Sequence, residues 1–505
     1  MMFKDLIEEE LNTSNTENGA IGYKTTGSKY ADIYFKISSY RNLSDEEIKS
    51  DFLEAYIENK ELTLKLLFHV RDIRQGLGER RLFRVAFRSI LGYDTAVAVK
   101  LLYYISEYGR WDDLIFMLGN WVDVNTEVLD TIILQLVSDV SNVRANHGDV
   151  SLLGKWLPNI KSKNPKKREQ AKMIANVMNW DEKTYRSVKA ELNRHINTVE
   201  VKMSSGNFDK IDYETVPSKA NLKYKNAFLR NDEERRRTYL DSLEKGEVKI
   251  NSSVAFPHEI VHKYRNETFV WTSLISDIDT TLEQMWKSLP KVNLENAIVV
   301  ADGSGSMLSM ISGTNITAWT VAHALAIYFA ENIQGEFNNN YITFSNCPEL
   351  VKFNDEMSLR DKLAVATKYN ALSSTNIERV FDLILDTAVE NKIKQSELPR
   401  NILILSDMEF DQGANVKGGK SLFDNMSLKY NEQGYTLPKL TFWNILSRTN
   451  AIPMIRNEMG VNLVSGFSPN VMKMVLANET DPHKALLGVL LGERYEVIKV
   501  YGDDN

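Results

Sequence analysis

Asp302, Ser304 and Ser306 occupy alternate positions of the run Asp-Gly-Ser-Gly-Ser and offer one carboxylate and two hydroxyls around a tight loop. A hard divalent cation such as Mg2+ takes oxygen ligands in octahedral array and keeps several waters, so these residue types at this spacing suit such an ion. Gly303 and Gly305 let the backbone turn beneath it. The same serines and aspartate would also serve as helix caps and turn formers, and one such motif does not decide between the two roles.

Other residues compete for chemistry. HisGluIleValHis at 258–262 has two histidines at i and i+4 with Glu259 between them, the pattern of a zinc peptidase, and Glu283 lies downstream where a third ligand would sit. Pro257 places His258 in the first turn of a helix rather than in a helix interior, and Lys263 sets a charge beside His262, so a polar helix start is the expected role. AlaAsnValLysGlyGlyLysSer at 414–421 fits a relaxed phosphate loop. It does not leave its strand directly, as a phosphate cradle must, and a Gly/Lys loop near the metal face is the better reading. Neither Ser304 nor Ser306 has the flanking glycines of a nucleophile elbow. Cys347, the single cysteine, excludes an internal disulfide framework and is expected to be a buried or inert thiol rather than a nucleophile.

The elements that must position these residues fall into two textures. From Ser44 to about Pro290 apolar residues recur at helical spacing, as in Leu62, Leu66, Leu67 and Val70 or Leu82, Val85, Ala86 and Ile90, with breaks at 75–78, 92–94 and 108–113. Successive helices with short connections predict an α-solenoid of HEAT-like style, without a strict repeat period. Near Asn293 buried-strand runs begin to alternate with amphipathic helices: 296–302, 341–345, 401–407, 439–446 and 461–465 are strands, with helices at 318–332, 359–368 and 376–390. This is the pattern of a doubly wound α/β sheet, whose ligands sit at the carboxyl ends of the strands, where Asp302 and Asp407 both fall.

The chain has 505 residues, which implies two or more cores. Its net charge of −7 argues against a uniformly basic nucleic-acid binder, yet residues 144–265 carry 25 Lys and Arg against 16 Asp and Glu. That basic middle could follow a polyanion, or be a set of solvated helix faces. No apolar run approaches the roughly 20 residues that span a bilayer. The acidic first residues lack a signal-peptide core, so a soluble, cytoplasmic protein is expected.

Asp-x-Ser-x-Ser after an apolar strand resembles the metal-ion-dependent adhesion site of von Willebrand A domains. That resemblance adds Thr375, from SerSerThrAsn at 373–376, and Asp407, from LeuSerAsp at 405–407, as further ligands of Mg2+ or Mn2+. A helical half joined to such a domain resembles the TROVE-module proteins, the Ro autoantigen family. More closely, it resembles an uncharacterised branch related to them in phages, bacteria and plants. The landmarks are VRDIRQGLGERR (70–81), GRWDDL (109–114), KWLP (155–158), FPHEI (256–260), FWN (442–444) and VSGFSP (464–469). The resemblance implies a TROVE-like helical-repeat domain over 1–292, with ring closure left open, a von Willebrand A domain over 293–480, and a helix and tail over 481–505.

It also implies a non-enzymatic scaffold for small or single-stranded RNA, with an unidentified protein ligand completing the metal's coordination and no role at a membrane. Charge and loop context nominate Arg71, Arg74, Arg80, Arg81, Lys166, Lys167 and Arg168 as RNA contacts, each of which could equally be a solvated helix residue. A protein-binding module without RNA and a zinc peptidase through His258, Glu259 and His262 are the alternatives.

Overall fold

The computed structural model describes residues 12–15, 21–119, 125–252, 254–265, 274, 277–345, 347–369, 376–408, 422–446, 461–468 and 482–500. By compactness the chain divides into two units, Met1–Ser44 with Ser252–Gly492, and Asp45–Asn251 with Glu493–Asn505. Among the described residues no helix is long and apolar enough to cross a membrane.

The first unit is built on a six-stranded sheet. Its strands are β1 (Ala297–Asp302), β2 (Asn340–Phe344), β3 (Leu350–Lys352), β4 (Asn401–Ser406), β5 (Lys439–Asn444) and β6 (Val461–Ser465). Among the described residues their spatial order is β6-β5-β4-β1-β2-β3, and only β3, on β2, runs antiparallel to its neighbour. The central strands β1 and β4 are buried along almost their whole length, which is why their sequences read as continuous apolar runs rather than alternating ones. The connections leave β1 in one direction and return to β4 on its other side, so the order reverses between these two strands. Ligands on open parallel sheets collect outside the carboxyl ends at such a reversal.

This unit takes in more of the chain than the division expected at residue 293, and helix Ala318–Asn332 supplies the reason. Its sequence is apolar around the whole circumference, and all but one of its residues are buried. A helix of that kind needs cover on the side away from the sheet. Helix Pro257–Val261 packs on it, Trp286 of helix Thr280–Lys287 donates from Nε1 to Glu331 at 2.8 Å, and Val292 N–H donates to Asn332. Helix Lys29–Phe35 and the residues that follow it lie against the β5–β6 edge of the sheet. Ser38 donates to Asn444 Oδ1 at 2.7 Å, Asn444 donates to the Phe35 carbonyl, and the Arg41 guanidinium lies 4.2 Å from the centre of the Phe467 ring.

The second unit is helical. Helices Asp45–Glu58, Lys60–Arg71 and Arg81–Tyr93 pack together, with Phe68 meeting Phe83, Phe87 and Tyr108 edge to face. Their starts are sequence-encoded. Asn59 accepts from Leu62 N–H, Asp181 from Thr184 N–H, and Asn164 from Lys167 N–H with Pro165 at the first helical position. The expected terminal stretch 481–505 is divided: helix Pro482–Leu490 belongs to the sheet unit, whereas Arg494 and Tyr495 join the helical one. Arg494 pairs with Asp72 at 3.0 Å and Glu107 at 3.0 Å, and Tyr495 bridges Asp72 and His69.

His69 is buried there, and burial lowers its pKa from 6.5 to about 4, against the opposing pull of Asp72. The unfolded chain therefore binds a proton near pH 6.5 that the folded unit refuses until about pH 4. Stability from this group is complete above about pH 6.5 and falls by on the order of 3 kcal/mol as pH approaches 4. Urea midpoints measured from pH 7.5 to 4.5 are expected to decline less steeply in His69→Gln than in the native chain. Parallel declines would remove His69 as a cause.

Candidate metal centre

Asp302 is the last residue of β1 and Asp407 the first after β4, so both lie at the reversal point of the sheet. Asp302 is 0% and Asp407 1% exposed. Two carboxylates buried at the ends of adjacent strands repel one another, and a divalent cation would offset that cost. Asp302 is held by Ser304 N–H, at 2.9 Å to Oδ1, and by the Ser406 hydroxyl, at 2.6 Å to Oδ2. Ser406 went unnoticed in the sequence because it ends an apolar strand, although a hydroxyl beside a strand-end aspartate was a readable signal.

The loop after Asp302 turns Ser304 and Ser306 toward one point, with their Oγ atoms 2.9 Å apart. That is a hydroxyl–hydroxyl hydrogen bond, and its length is also compatible with neighbouring vertices of a Mg2+ octahedron, which stand about 2.9 Å apart for bonds of about 2.0–2.1 Å. Met408, next to Asp407, has a φ of 65°, and its N–H donates to Ser406 Oγ at 3.1 Å. A bulky residue in the left-handed region costs about 1–2 kcal/mol and is held only where surroundings require it, often at functional sites. Thr375, the remaining expected ligand, and the 414–421 loop lie outside the described residues. Among the described residues no group of three or more His, Cys, Asp or Glu is placed to hold a metal. The oxygen set at 302–306 and 407 has two carboxylates with hydroxyls and is of a different kind.

The residues of the zinc-peptidase pattern have local duties. Helix Pro257–Val261 starts at Pro257, and Glu259 accepts from Phe256 N–H at 3.0 Å, closing the helix start. His258 is buried between the Phe256 and Phe467 rings. Glu283 accepts from Tyr264 O–H and from the N–H groups of Leu359 (2.8 Å) and Arg360 (3.2 Å), so it caps helix Leu359–Ala366 from a distant part of the chain. Glu283→Gln is expected to cost about 1–2 kcal/mol in chemical denaturation, because a neutral amide accepts these N–H groups less strongly. An unchanged midpoint would show that the cap contributes nothing. Cys347 is exposed.

The expected RNA contacts have unequal environments. Arg71 is buried, with Nη2 2.7 Å and Nε 2.8 Å from Asp113. Asp113 also takes Arg84 Nε at 2.7 Å and Arg110 N–H at 3.0 Å, while Asp112 takes Arg84 at 2.8 Å and lies 3.7 Å from Arg80. Arg74 reaches the Glu107 carbonyl, and Arg81 pairs with Asp45 at 2.7 Å. Lys166 lies 4.4 Å from the centre of the Phe116 ring, and Lys167 and Arg168 are exposed in the first turn of helix Pro165–Val177. The landmarks 70–81 and 109–114 are thus two sides of one ion-pair lattice. Gly109 belongs to it because a Cβ there would stand 2.5 Å from Asp113 Oδ2 and 2.9 Å from Arg71 Nε. Landmarks 256–260, 442–444 and 464–469 also meet, through the His258–Phe467 contact and a bond from Trp443 Nε1 to the Gly466 carbonyl.

The family matches divide the chain between residues 294 and 296, which is not the division by compactness. A domain of unknown function, DUF2828, matches residues 16–91 and 165–294, and another, DUF7788, matches residues 296–490. "Uncharacterized protein L728" of Acanthamoeba polyphaga mimivirus is 31% identical over 519 residues, covering 95% of this chain and 87% of that protein. An uncharacterised family with a viral member agrees with that part of the resemblance drawn from the landmarks. At that identity and coverage the chain belongs to the same family as this mimivirus protein.

Proposed function

We propose that the sheet unit is a von Willebrand A-type domain that holds Mg2+ or Mn2+ through Asp302, Ser304, Ser306, Thr375 and Asp407, and binds a carboxylate of a protein partner there. The observation that carries this reading is the Ser304–Ser306 hydroxyl pair at 2.9 Å beside Asp302, at the point where the strand order reverses. The bound ion would supply an open coordination position for the partner's carboxylate. The chain's own residues do the rest: the two aspartates set the local charge, the two hydroxyls fix the angle, and Ser406 orients Asp302. The helical unit is a TROVE-like, HEAT-style repeat domain that binds single-stranded RNA, supported by the cations of helices Arg81–Tyr93 and Pro165–Val177. The whole is a non-enzymatic cytoplasmic scaffold.

Titration calorimetry with Mg2+ or Mn2+ on the full chain tests the metal part. One saturable site is expected, weakened roughly ten-fold in Ser306→Ala by loss of a ligand. Absence of binding in the native chain would overturn the reading.

A further inference from the structure

The cations around Asp112 and Asp113 form a row rather than a cluster. Arg110, whose guanidinium lies 5.4 Å from the centre of the Trp156 ring, is close enough to Arg80 and Arg71 to feel their charge. Arg80 and Arg84 share Asp112. Arg84 and Lys166 both lie against the Phe116 ring, at 4.6 Å and 4.4 Å, and Lys166 feels Arg88 as well as Arg84. The row thus runs across four helices, from Trp156 to the first turn of helix Pro165–Val177, and among the described residues its cations outnumber the two aspartates within it. Trp156 and Phe116 are both half-buried.

Packing like charges together is costly, and neutralisation by an anion relieves it. A free phosphate would engage one or two members of such a row. A polyanion engages them in succession, and the aromatic rings at intervals suit a strand whose bases are unpaired, since cationic grooves with stacking rings are how single strands are held. Resting on the RNA reading above, we propose that the row Trp156–Arg110–Arg80–Arg84–Phe116–Lys166 seats a single-stranded RNA, with phosphates on Arg110, Arg80 and Lys166 and a base against Trp156. Arg71 and Arg84 take no direct part, since Asp113 holds both and Asp112 holds Arg84 as well. Lys167 and Arg168 extend the row at its exposed end.

The test is fluorescence anisotropy of the full chain with a labelled oligouridylate of roughly 12 nucleotides, the length scale of single-strand sites, over a salt series. In Lys166→Gln with Lys167→Gln, binding is expected to weaken roughly ten-fold and the log–log salt slope to fall by about 1.4. Trp156→Leu is expected to weaken binding roughly ten-fold with the slope unchanged, because it removes stacking and no charge. The control is Lys223→Gln with Arg230→Gln on helix Ser218–Asn231, also within the basic middle, and it is expected to match the native chain. Lys167→Gln with Arg168→Gln, at exposed positions, repeats the test should the first pair disturb folding by circular dichroism. If the native chain binds and the row variants bind equally well, or no worse than the control pair, the row is not the seat. Tighter binding of a blunt RNA duplex than of the oligouridylate would overturn the single-strand assignment. If the native chain fails to bind even at low salt, the RNA reading itself falls.

Discussion

Asp302→Ala is expected to abolish saturable Mg2+ or Mn2+ binding while leaving the sheet unit folded. The substitution removes one of two carboxylates buried at the reversal point and leaves the serine hydroxyls without enough charge to strip a strongly hydrated ion. It also leaves Ser304 N–H and the Ser406 hydroxyl without the acceptor they meet at 2.9 Å and 2.6 Å. That loss costs about 1–3 kcal/mol, offset in part by relief of repulsion with Asp407. A cation at 100 times its dissociation constant stabilises the native chain by about 2.7 kcal/mol, so melting temperature should rise with Mg2+ in the native chain and stay flat in the variant. Asp302→Asn separates the two effects: it keeps an acceptor for Ser304 or Ser406 and loses the charge. An equal Mg2+-dependent rise in native chain and Asp302→Ala would refute the site. Failure of Asp302→Asn alone to lose binding would show that the carboxylate is a turn former.

Asp113→Ala is expected to destabilise the helical unit by about 3–5 kcal/mol, the cost of leaving a buried partner charge uncompensated. Asp113 is fully buried and holds Arg71, itself 2% exposed, together with Arg84 and the Arg110 N–H. Removing it strands a guanidinium whose pKa burial already lowers. The contrast is Arg81→Ala, which breaks an ion pair whose partners are 47% and 52% exposed and which should cost less than about 1 kcal/mol. Gly109→Ala should resemble Asp113→Ala, since its Cβ would force apart the carboxylate and the guanidinium. Urea unfolding followed by circular dichroism measures all three. A cost for Asp113→Ala no larger than that for Arg81→Ala would show that the lattice is not what secures the unit.

The division into helical and sheet textures was legible because each has its own period: apolar residues at helical spacing before Asn293, and continuous apolar runs ending in polar residues after it. The six strands were partly legible. The five runs at 296–302, 341–345, 401–407, 439–446 and 461–465 were visible, whereas Leu350–Lys352 was not, because a three-residue antiparallel edge strand with one buried side chain has too little pattern to read. The destination of the flanking segments was equally hidden. Ser38 meets Asn444, 406 residues away, and Glu283 caps a helix 76 residues downstream, and no local periodicity encodes such pairings. The all-round apolar surface of helix Ala318–Asn332 was the readable clue that further elements must cover it.

For the metal loop, sequence alone determined the residue types and the turn. Asp302, Ser304 and Ser306 follow a strand at alternate positions, and Gly303 and Gly305 permit the bend. Tertiary structure decided that Asp407 comes to the same edge, since only the parallel pairing of β1 with β4 places residues 105 apart in sequence at neighbouring strand ends. For the basic residues the balance is reversed. Sequence located the charges but could not tell Arg71, buried on Asp113, from Lys167, exposed in a helix's first turn. Charge is a property of the residue, whereas its availability depends on which carboxylates and rings the fold brings against it, and those contacts are long-range.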